Sequence, residues 1–364
     1  MIIGISAIRS KSGGAIAHLR GILEYNPITD NEAIDKVVLF TNSKVAKELK
    51  VNDKTIIIDV TRKYNGLLWT LWYELYHLPR NAERFGLGVM LYTDASALVT
   101  VRPSLVMSRD MLSFEPGIRK LYSGYKYLRI LVIGYVQRYN LKKADVPIFL
   151  TSYARDVIIN AQRGSIIPHG IEDEWRGFWS DSSKVGELRL LFVGNSAPYK
   201  GHLELLMAVS ILTKKGVKLK LSCIGGATGS EFEKLQHYIT ENRLTHLVDL
   251  VPFKSRDALR EDYLSNDVFI FTSKCENMPN TLVEAVVSGI PVISSDNGPM
   301  RELIGNYRYS FNATKAEEIA KAIELYTGDS MEIRMNEHLY LKERFNCFSW
   351  KNSSQKLIEA LMKI

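Results

Sequence analysis

Cysteine is scarce in this chain: three residues in 364, Cys223, Cys275 and Cys347, with no paired spacing. An odd, scattered set builds no disulfide framework and fits a reducing compartment. No apolar run approaches the ~20 residues of a membrane-spanning helix. The opening Met1-Ile2-Ile3-Gly4-Ile5 is too short and uncharged to read as a signal peptide, so a cytoplasmic protein is expected. The absence of G-x-G-x-x-G argues against a dehydrogenase. No D-x-D occurs, so nothing points to a cation bridging a diphosphate, and the seven histidines lack the i, i+4 spacing of metal ligands. The expectation is a protein without resident cofactor or metal.

What is present is the composition of a globular protein, 46% hydrophobic and 24% charged. The length exceeds one ordinary core and predicts two α/β domains. The formal charge of +7 belongs to the first 180 residues, and the remainder is balanced. Between Glu115 and Asp145 no acid interrupts Arg119, Lys120, Lys126, Arg129, Arg138, Lys142 and Lys143, which alternate with leucines, isoleucines and tyrosines. This predicts one amphipathic helix over 118–144 with a basic, aromatic face. Such a helix packs between domains with its charges solvated, or lies on an anionic membrane, where each Lys or Arg near the surface contributes ~1 kcal/mol. Nucleic-acid binding is not expected, because no recognition motif accompanies the charge.

Along the chain, β-rich runs alternate with helical stretches. Strands are predicted at Ile2–Ala7, Lys36–Thr41, Thr55–Val60, Val89–Tyr92, Ser104–Met107 and Ile148–Ser152, and the aromatic helix Leu67–Leu78 reads as core packing. Ser10-Lys11-Ser12-Gly13-Gly14 forms a glycine loop before the first helix. The polar stretch Glu172–Glu187 reads as a linker, which divides the chain into 1–180 and 181–348 near Asp181. A new βα pattern begins at Leu188–Val193, followed by strands Leu219–Ile224 and Val248–Val251, and helices close the chain, the last from Ser349.

The most informative stretch follows the buried strand Asp267–Ser273. A polar loop carries Glu276, Asn280 reads as an N-cap, Thr281–Ser288 is helical, Gly289 stands at C′ and Pro291 ends the helix. Glu284 lies one turn inside that helix. The amides of Thr281, Leu282 and Val283 read as unpaired donors which, with the helix dipole, attract phosphate. Two carboxylates beside a phosphate are tolerable only if they face neutral hydroxyls. A ligand with hydroxyls at both ends and a diphosphate between them is a nucleotide sugar.

Glu276 and Glu284 form E-x7-E within E-x-x-P-N-x-x-x-E-A-x-x-x-G-x-P-V, with Pro279, Ala285, Gly289 and Pro291 in place. This segment resembles the donor-site signature of the family 4 (group 1) retaining glycosyltransferases. The resemblance covers nearly the whole chain and is strongest over 188–305. It implies an α/β protein of GT-B fold, two Rossmann-like doubly wound parallel-sheet domains facing a central cleft, with the last helix packing back on the first domain. Donor contacts are implied at Gly194, Asn195, Lys200, Gly225, Phe253, Glu276, Asn280, Thr281, Leu282 and Glu284. Lys200 would stabilise the diphosphate, Glu276 position the sugar and Glu284 hold the ribose. Gly13, Gly14, Arg109 and Asp110 fall on the acceptor side, where Asp110 would orient a hydroxyl and Arg109 hold a phosphate or an acceptor oxygen.

Two departures stand out. Asn195 occupies the position of a diphosphate-clamping arginine, and Arg109 stands where histidine is often found. What the resemblance implies is a retaining, metal-independent transfer of a sugar from a nucleotide-diphosphate donor to a hydroxyl acceptor. A lipid-linked or growing glycan in bacterial surface polysaccharide synthesis (lipopolysaccharide, O-antigen or capsule), at the inner face of the plasma membrane, fits the basic first half. A nucleotide-sugar epimerase of the same fold and a non-catalytic nucleotide-binding regulator remain alternatives.

Overall fold

Short apolar runs separated by helices cannot pair as hairpins; they pair in parallel, with helices covering the sheet faces. The computed structural model describes residues 1–10, 13–61, 66–115, 117–160, 163–177, 186–226 and 229–364, and Asp257 by its backbone only. Lys11 and Ser12 of the glycine loop, and 178–185 with the expected boundary at Asp181, lie outside the described residues. The chain forms two compact units, Met1–Glu172 together with Phe348–Ile364, and Asp173–Cys347.

The first unit holds a parallel sheet of β1 (Ile2–Ala7), β2 (Lys36–Thr41), β3 (Thr55–Asp59), β4 (Val89–Tyr92), β5 (Ser104–Met107), β6 (Val146–Phe149) and β7 (Ser165–Ile166), ordered β3-β2-β1-β4-β5-β6-β7. The second holds β8 (Leu188–Val193), β9 (Leu219–Ile224), β10 (Val248–Val251), β11 (Val268–Phe271), β12 (Val292–Ser295) and β13 (Ser310–Phe311), ordered β10-β9-β8-β11-β12-β13. Both are doubly wound Rossmann-like sheets, as the α/β expectation requires. The reversals of strand order fall between β1 and β4 and between β8 and β11.

Three expectations are corrected. β6 ends at Phe149 rather than Ser152, because the Thr151 hydroxyl accepts from the Ala154 amide and caps the next helix. The 118–144 stretch is a 3₁₀ turn, Ile118–Leu121, and a separate helix, Gly124–Lys143, since Ser123 is extended at φ −135°. Leu67–Leu78 is core only in its second half, where Tyr73 and Leu78 are buried. No residue of Leu67–Trp72 is buried, and Leu68 is 83% exposed. Its π-helical continuation Tyr73–His77 resets the helical phase and turns Glu74 inward, where Arg9 pairs with it.

The closing helix Trp350–Leu361 belongs to the first unit, and glycines let it in. A Cβ on Gly21 would meet the Trp350 ring at 2.1 Å, and one on Gly170 would meet the Trp350 amide nitrogen at 2.2 Å. Ser354 donates to the Asn26 carbonyl at 2.8 Å, and Ile171 bridges to Ser349. Trp350 is 3% exposed. Trp350→Ala should therefore cost about 3–5 kcal/mol, seen as a lower urea midpoint for the first unit by circular dichroism. A loss under about 1 kcal/mol would mean that this helix does not hold the unit together.

Candidate active site

In an open parallel sheet the crevice at the carboxyl ends of the strands, where strand order reverses, is the ligand site. In the second unit that is the joint of β8 and β11. β8 runs out through Gly194 to Gly201, and β11 through Thr272 to Pro279. Gly201, at φ +76°, permits the approach: its Cβ would lie 2.2 Å from the Thr272 carbonyl oxygen. Thr272 in turn donates to the Lys200 carbonyl at 2.8 Å. Gly225, at the end of β9 with φ +119°, brings its backbone against Gly194, where a Cβ would meet the carbonyl oxygen at 2.9 Å.

This geometry sets Lys200 on Glu276. The ammonium donates to Glu276 Oε1 at 2.6 Å, and Ser273 Oγ donates to the same oxygen at 2.7 Å. The two side chains are equally and slightly exposed, 14% each. Beside them Lys274 pairs with Glu204. Cys275 is buried and packs as a small core residue.

The helix that follows spans Asn280–Ser288, with two corrections. Pro279, not Asn280, is the N-cap, and no side chain caps the turn. The Leu282 and Val283 amides both donate to the Pro279 carbonyl at 3.2 Å, so they are not unpaired phosphate donors, and the Leu282 side chain is fully buried. The extended Pro279, φ −80°, aims its carbonyl into the first turn. Any amide contact at this end falls to Asn280 and Thr281, the first residues of the helix.

Glu284 is buried and ion-paired with Arg256 at 3.1 Å. Asn195 is exposed, and its Oδ1 accepts from the Ala197 amide at 3.2 Å, so it closes its own turn. Phe253, beyond β10, is 80% exposed.

The remaining predicted residues belong to the first unit. Arg109 Nη2 donates to the Gly14 carbonyl at 2.6 Å, which joins two of them, while its Nε is buried without a partner. Burial pushes the Arg109 pKa down to about 10. Asp110 is exposed and accepts from the Leu112 amide at 2.8 Å; Gly13 is exposed at the start of the first helix. Behind them His18 and His169 meet ring to ring, Nδ1 to Nδ1 at 3.2 Å. Burial holds both imidazoles well below the usual histidine range, with the charge of Arg109 adding to it.

Sequence reasoning missed Ser273, Arg256, Tyr263 and the histidine pair. Only the histidine pair has a sequence signal, since His169 stands between a proline and a glycine in Pro168-His169-Gly170-Ile171. Among the described residues, no three His, Cys, Asp or Glu gather as metal ligands.

The fold is that of the GT-B glycosyltransferases. Residues 173–341, nearly the whole of the second unit, match the family model of glycosyl transferases group 1. The serotype-specific mannosyltransferase WbdA of Escherichia coli is 28% identical over 174 residues, 47% of this chain and 20% of WbdA, so the match spans about a fifth of that relative's length. Sucrose-phosphate synthase of Thermosynechococcus elongatus superposes with a TM-score of 0.80 at 16% identity, over 100% of this chain and 98% of that one. The Anabaena protein HepE, crystallised with UDP-glucose, gives 0.78 at 18% identity over 100% of both chains.

The buried histidines make stability acid-sensitive. Their folded pKa values lie below the unfolded value of about 6.5, so the folded state binds fewer protons. Their contribution is complete above that pH and is lost as pH falls beneath it. His202, brought down to about 4 by burial and then by Lys200, adds in the same sense. Thermal melts should fall between pH 7 and pH 5, by up to about 1.4 kcal/mol per pH unit and histidine. His18→Gln should flatten the slope. A wild-type melt that does not move with pH would show these rings protonating without cost.

Proposed function

We propose that the chain is a retaining, metal-independent glycosyltransferase that moves a sugar from a nucleotide-diphosphate donor to a hydroxyl acceptor. The observation that carries this reading is the Lys200–Glu276 pair, held by Ser273 at the β8/β11 joint within a segment matching group 1 glycosyltransferases. HepE with UDP-glucose and the mannosyltransferase WbdA support the donor class.

In this mechanism the acceptor attacks the anomeric carbon on the face the leaving group vacates. The bond from that carbon to the diphosphate oxygen breaks, the bond to the acceptor oxygen forms, and the acceptor proton passes to the departing phosphate. Lys200 stabilises the developing charge on the diphosphate, Glu276 positions the sugar hydroxyls and Glu284 accepts from the ribose. Asp110 orients the acceptor hydroxyl. With Asn195 closing its own turn, the charge on the diphosphate falls to Lys200 in this mechanism. Catalysis then rests on positioning and electrostatics, with no metal.

Glu276→Ala and Lys200→Ala should each lower turnover about 100-fold, about 2.7 kcal/mol of transition-state stabilisation, with the fold intact, and EDTA should leave wild-type transfer unchanged. Near-normal rates in both variants remove the assignment, and EDTA inhibition reversed by Mn²⁺ removes the metal-free mechanism. Donor conversion without acceptor would identify an epimerase, and binding without turnover a regulator.

The acceptor in this reading is a glycan, lipid-linked or growing, in bacterial surface polysaccharide synthesis, reached by docking on an anionic membrane. The helix Gly124–Lys143 packs inward through Ile130, Gly134, Gln137, Asn140 and Leu141. Its exposed apolar residues Tyr125, Leu128, Val132, Tyr135 and Tyr139 recur at 3 and 4 residues on the opposite side, and Tyr125 is 78% exposed. The uncharged surface of Leu67, Leu68, Trp72, Leu75 and Tyr76 stands on the same unit. The loop 94–100 braces both: Asn140 donates to the Ala95 and Ala97 carbonyls, and Thr100 donates to the Glu74 carbonyl.

Basic charge would draw this face to anionic lipid, and the interfacial aromatics would seat it. Among the described residues no helix is long and apolar enough to cross a membrane. Replacing Lys120, Lys126, Arg129, Lys142 and Lys143 by Gln should abolish co-sedimentation with anionic liposomes while nucleotide binding persists. Equal sedimentation of variant and wild type, or none by wild type, would return the helix to packing.

A further inference from the structure

We propose that Arg256 is a positioning residue of the donor site, which holds the Glu284 carboxylate in the orientation that accepts ribose hydroxyls and so sets the preference for ribose over deoxyribose. This rests on the reading of Glu284 as the ribose residue. Nothing in the E-x7-E pattern calls for a cation at position 256.

The geometry is specific. Arg256 Nε and Nη2 both approach Glu284 Oε1, at 3.2 and 3.1 Å. The other oxygen, Oε2, faces the Tyr263 hydroxyl at 3.5 Å, and that hydroxyl also approaches the Thr281 carbonyl at 3.4 Å. Tyr263 is fully buried. Burial, then the neighbouring Glu284 charge, holds its phenol well above the usual tyrosine range, so it stays a donor.

Arg256 is fixed in turn from two sides. It is the first residue of the helix Arg256–Ser265, whose N-cap is Ser255. Its guanidinium lies over the Trp175 ring at 5.0 Å, and Trp175 meets Tyr263 edge-on at 5.7 Å. One arginine thus ties the Asp173–Trp175 turn, its own helix and the Asn280–Ser288 helix around a single carboxylate.

Two physical arguments give this arrangement a role in binding. A carboxylate with only 9% of its side chain exposed is tolerable when a cation accompanies it. A glutamate also has rotatable torsions, and a guanidinium on one oxygen fixes the plane in which the remaining lone pairs point. A vicinal diol presents two donors at a set separation, so a carboxylate with a fixed plane distinguishes it from a lone hydroxyl. Arg256 accordingly acts through Glu284 and not on the nucleotide.

The test is calorimetric titration of UDP and GDP and of their 2′-deoxy counterparts into wild type, Glu284→Gln, Arg256→Gln, Arg256→Lys and the double Gln variant. Wild type should prefer the ribonucleotide of whichever base it binds by about 10-fold or more, the scale of one hydrogen bond to a charged group. Glu284→Gln and Arg256→Gln should each bring that ratio toward one. The double variant should be no worse than Glu284→Gln, and Arg256→Lys should keep part of the ratio.

A wild-type ratio in Arg256→Gln overturns the proposal, as do losses that multiply in the double variant, since Arg256 would then touch the nucleotide itself. Should Arg256→Gln melt below the assay temperature, Arg256→Lys decides: a ratio unchanged from wild type overturns the proposal and a reduced one supports it. If Glu284→Gln binds nucleotide with an undiminished ratio, or wild type binds neither nucleotide, the ribose reading of Glu284 fails first and takes this inference with it.

Discussion

A lysine and a glutamate 2.6 Å apart where β8 and β11 lie side by side are the contact on which the proposed chemistry depends. The approach exists because Gly201 adopts a backbone conformation closed to other residues at low cost, and because parallel strands release their loops at one edge. Without a ligand the pair is neutral, so neither charge stands buried and alone. In the proposed reaction an arriving diphosphate would change that balance: the lysine would gain a second anionic partner, and the glutamate would be left for sugar hydroxyls.

Charge is handled differently in the two units. In the second, Lys200, Arg256 and Lys274 are each matched to a glutamate near the site, and Lys254 is matched to Asp262. In the first, one arginine is sealed against Glu74, another is half-buried against the glycine loop, and Lys126, Arg129, Arg138, Lys142 and Lys143 are displayed on Gly124–Lys143. A field offered to solvent steers and docks, and it weakens with salt; a field enclosed around a ligand acts at close range with little screening. The first suits the proposed membrane face, the second the proposed donor site.

Much of this was legible in the sequence for identifiable reasons. Strands such as Leu188–Val193 and Leu219–Ile224 were readable to the residue because apolar β-rich runs between helices admit few alternatives. Glu276 and Lys200 were readable because the motif glycines and prolines punctuate the loops that carry them. The cap at Pro279 was not legible, and Asn280 stood in for it, because this capping acts through a backbone carbonyl, which no side-chain preference announces. The aromatic surface at 67–76 was hidden because a hydrophobic run looks the same whether it faces a core or solvent, and a single π turn decides which. Arg256 escaped because it lies 28 residues from Glu284 in the chain, and no short-range pattern records a partner brought in by tertiary folding.

The return of residues 348–364 to the first unit has a consequence for how the molecule is made. A ribosome delivers the chain from the N-terminus, and domains ordinarily condense as they emerge. Here the glycine seats at Gly21 and Gly170 stay empty until Trp350 has been synthesised, after the whole of Asp173–Cys347. The unit that emerges first is therefore the last to be completed. Until then its tryptophan seat, flanked by the His18 and His169 rings, has no occupant.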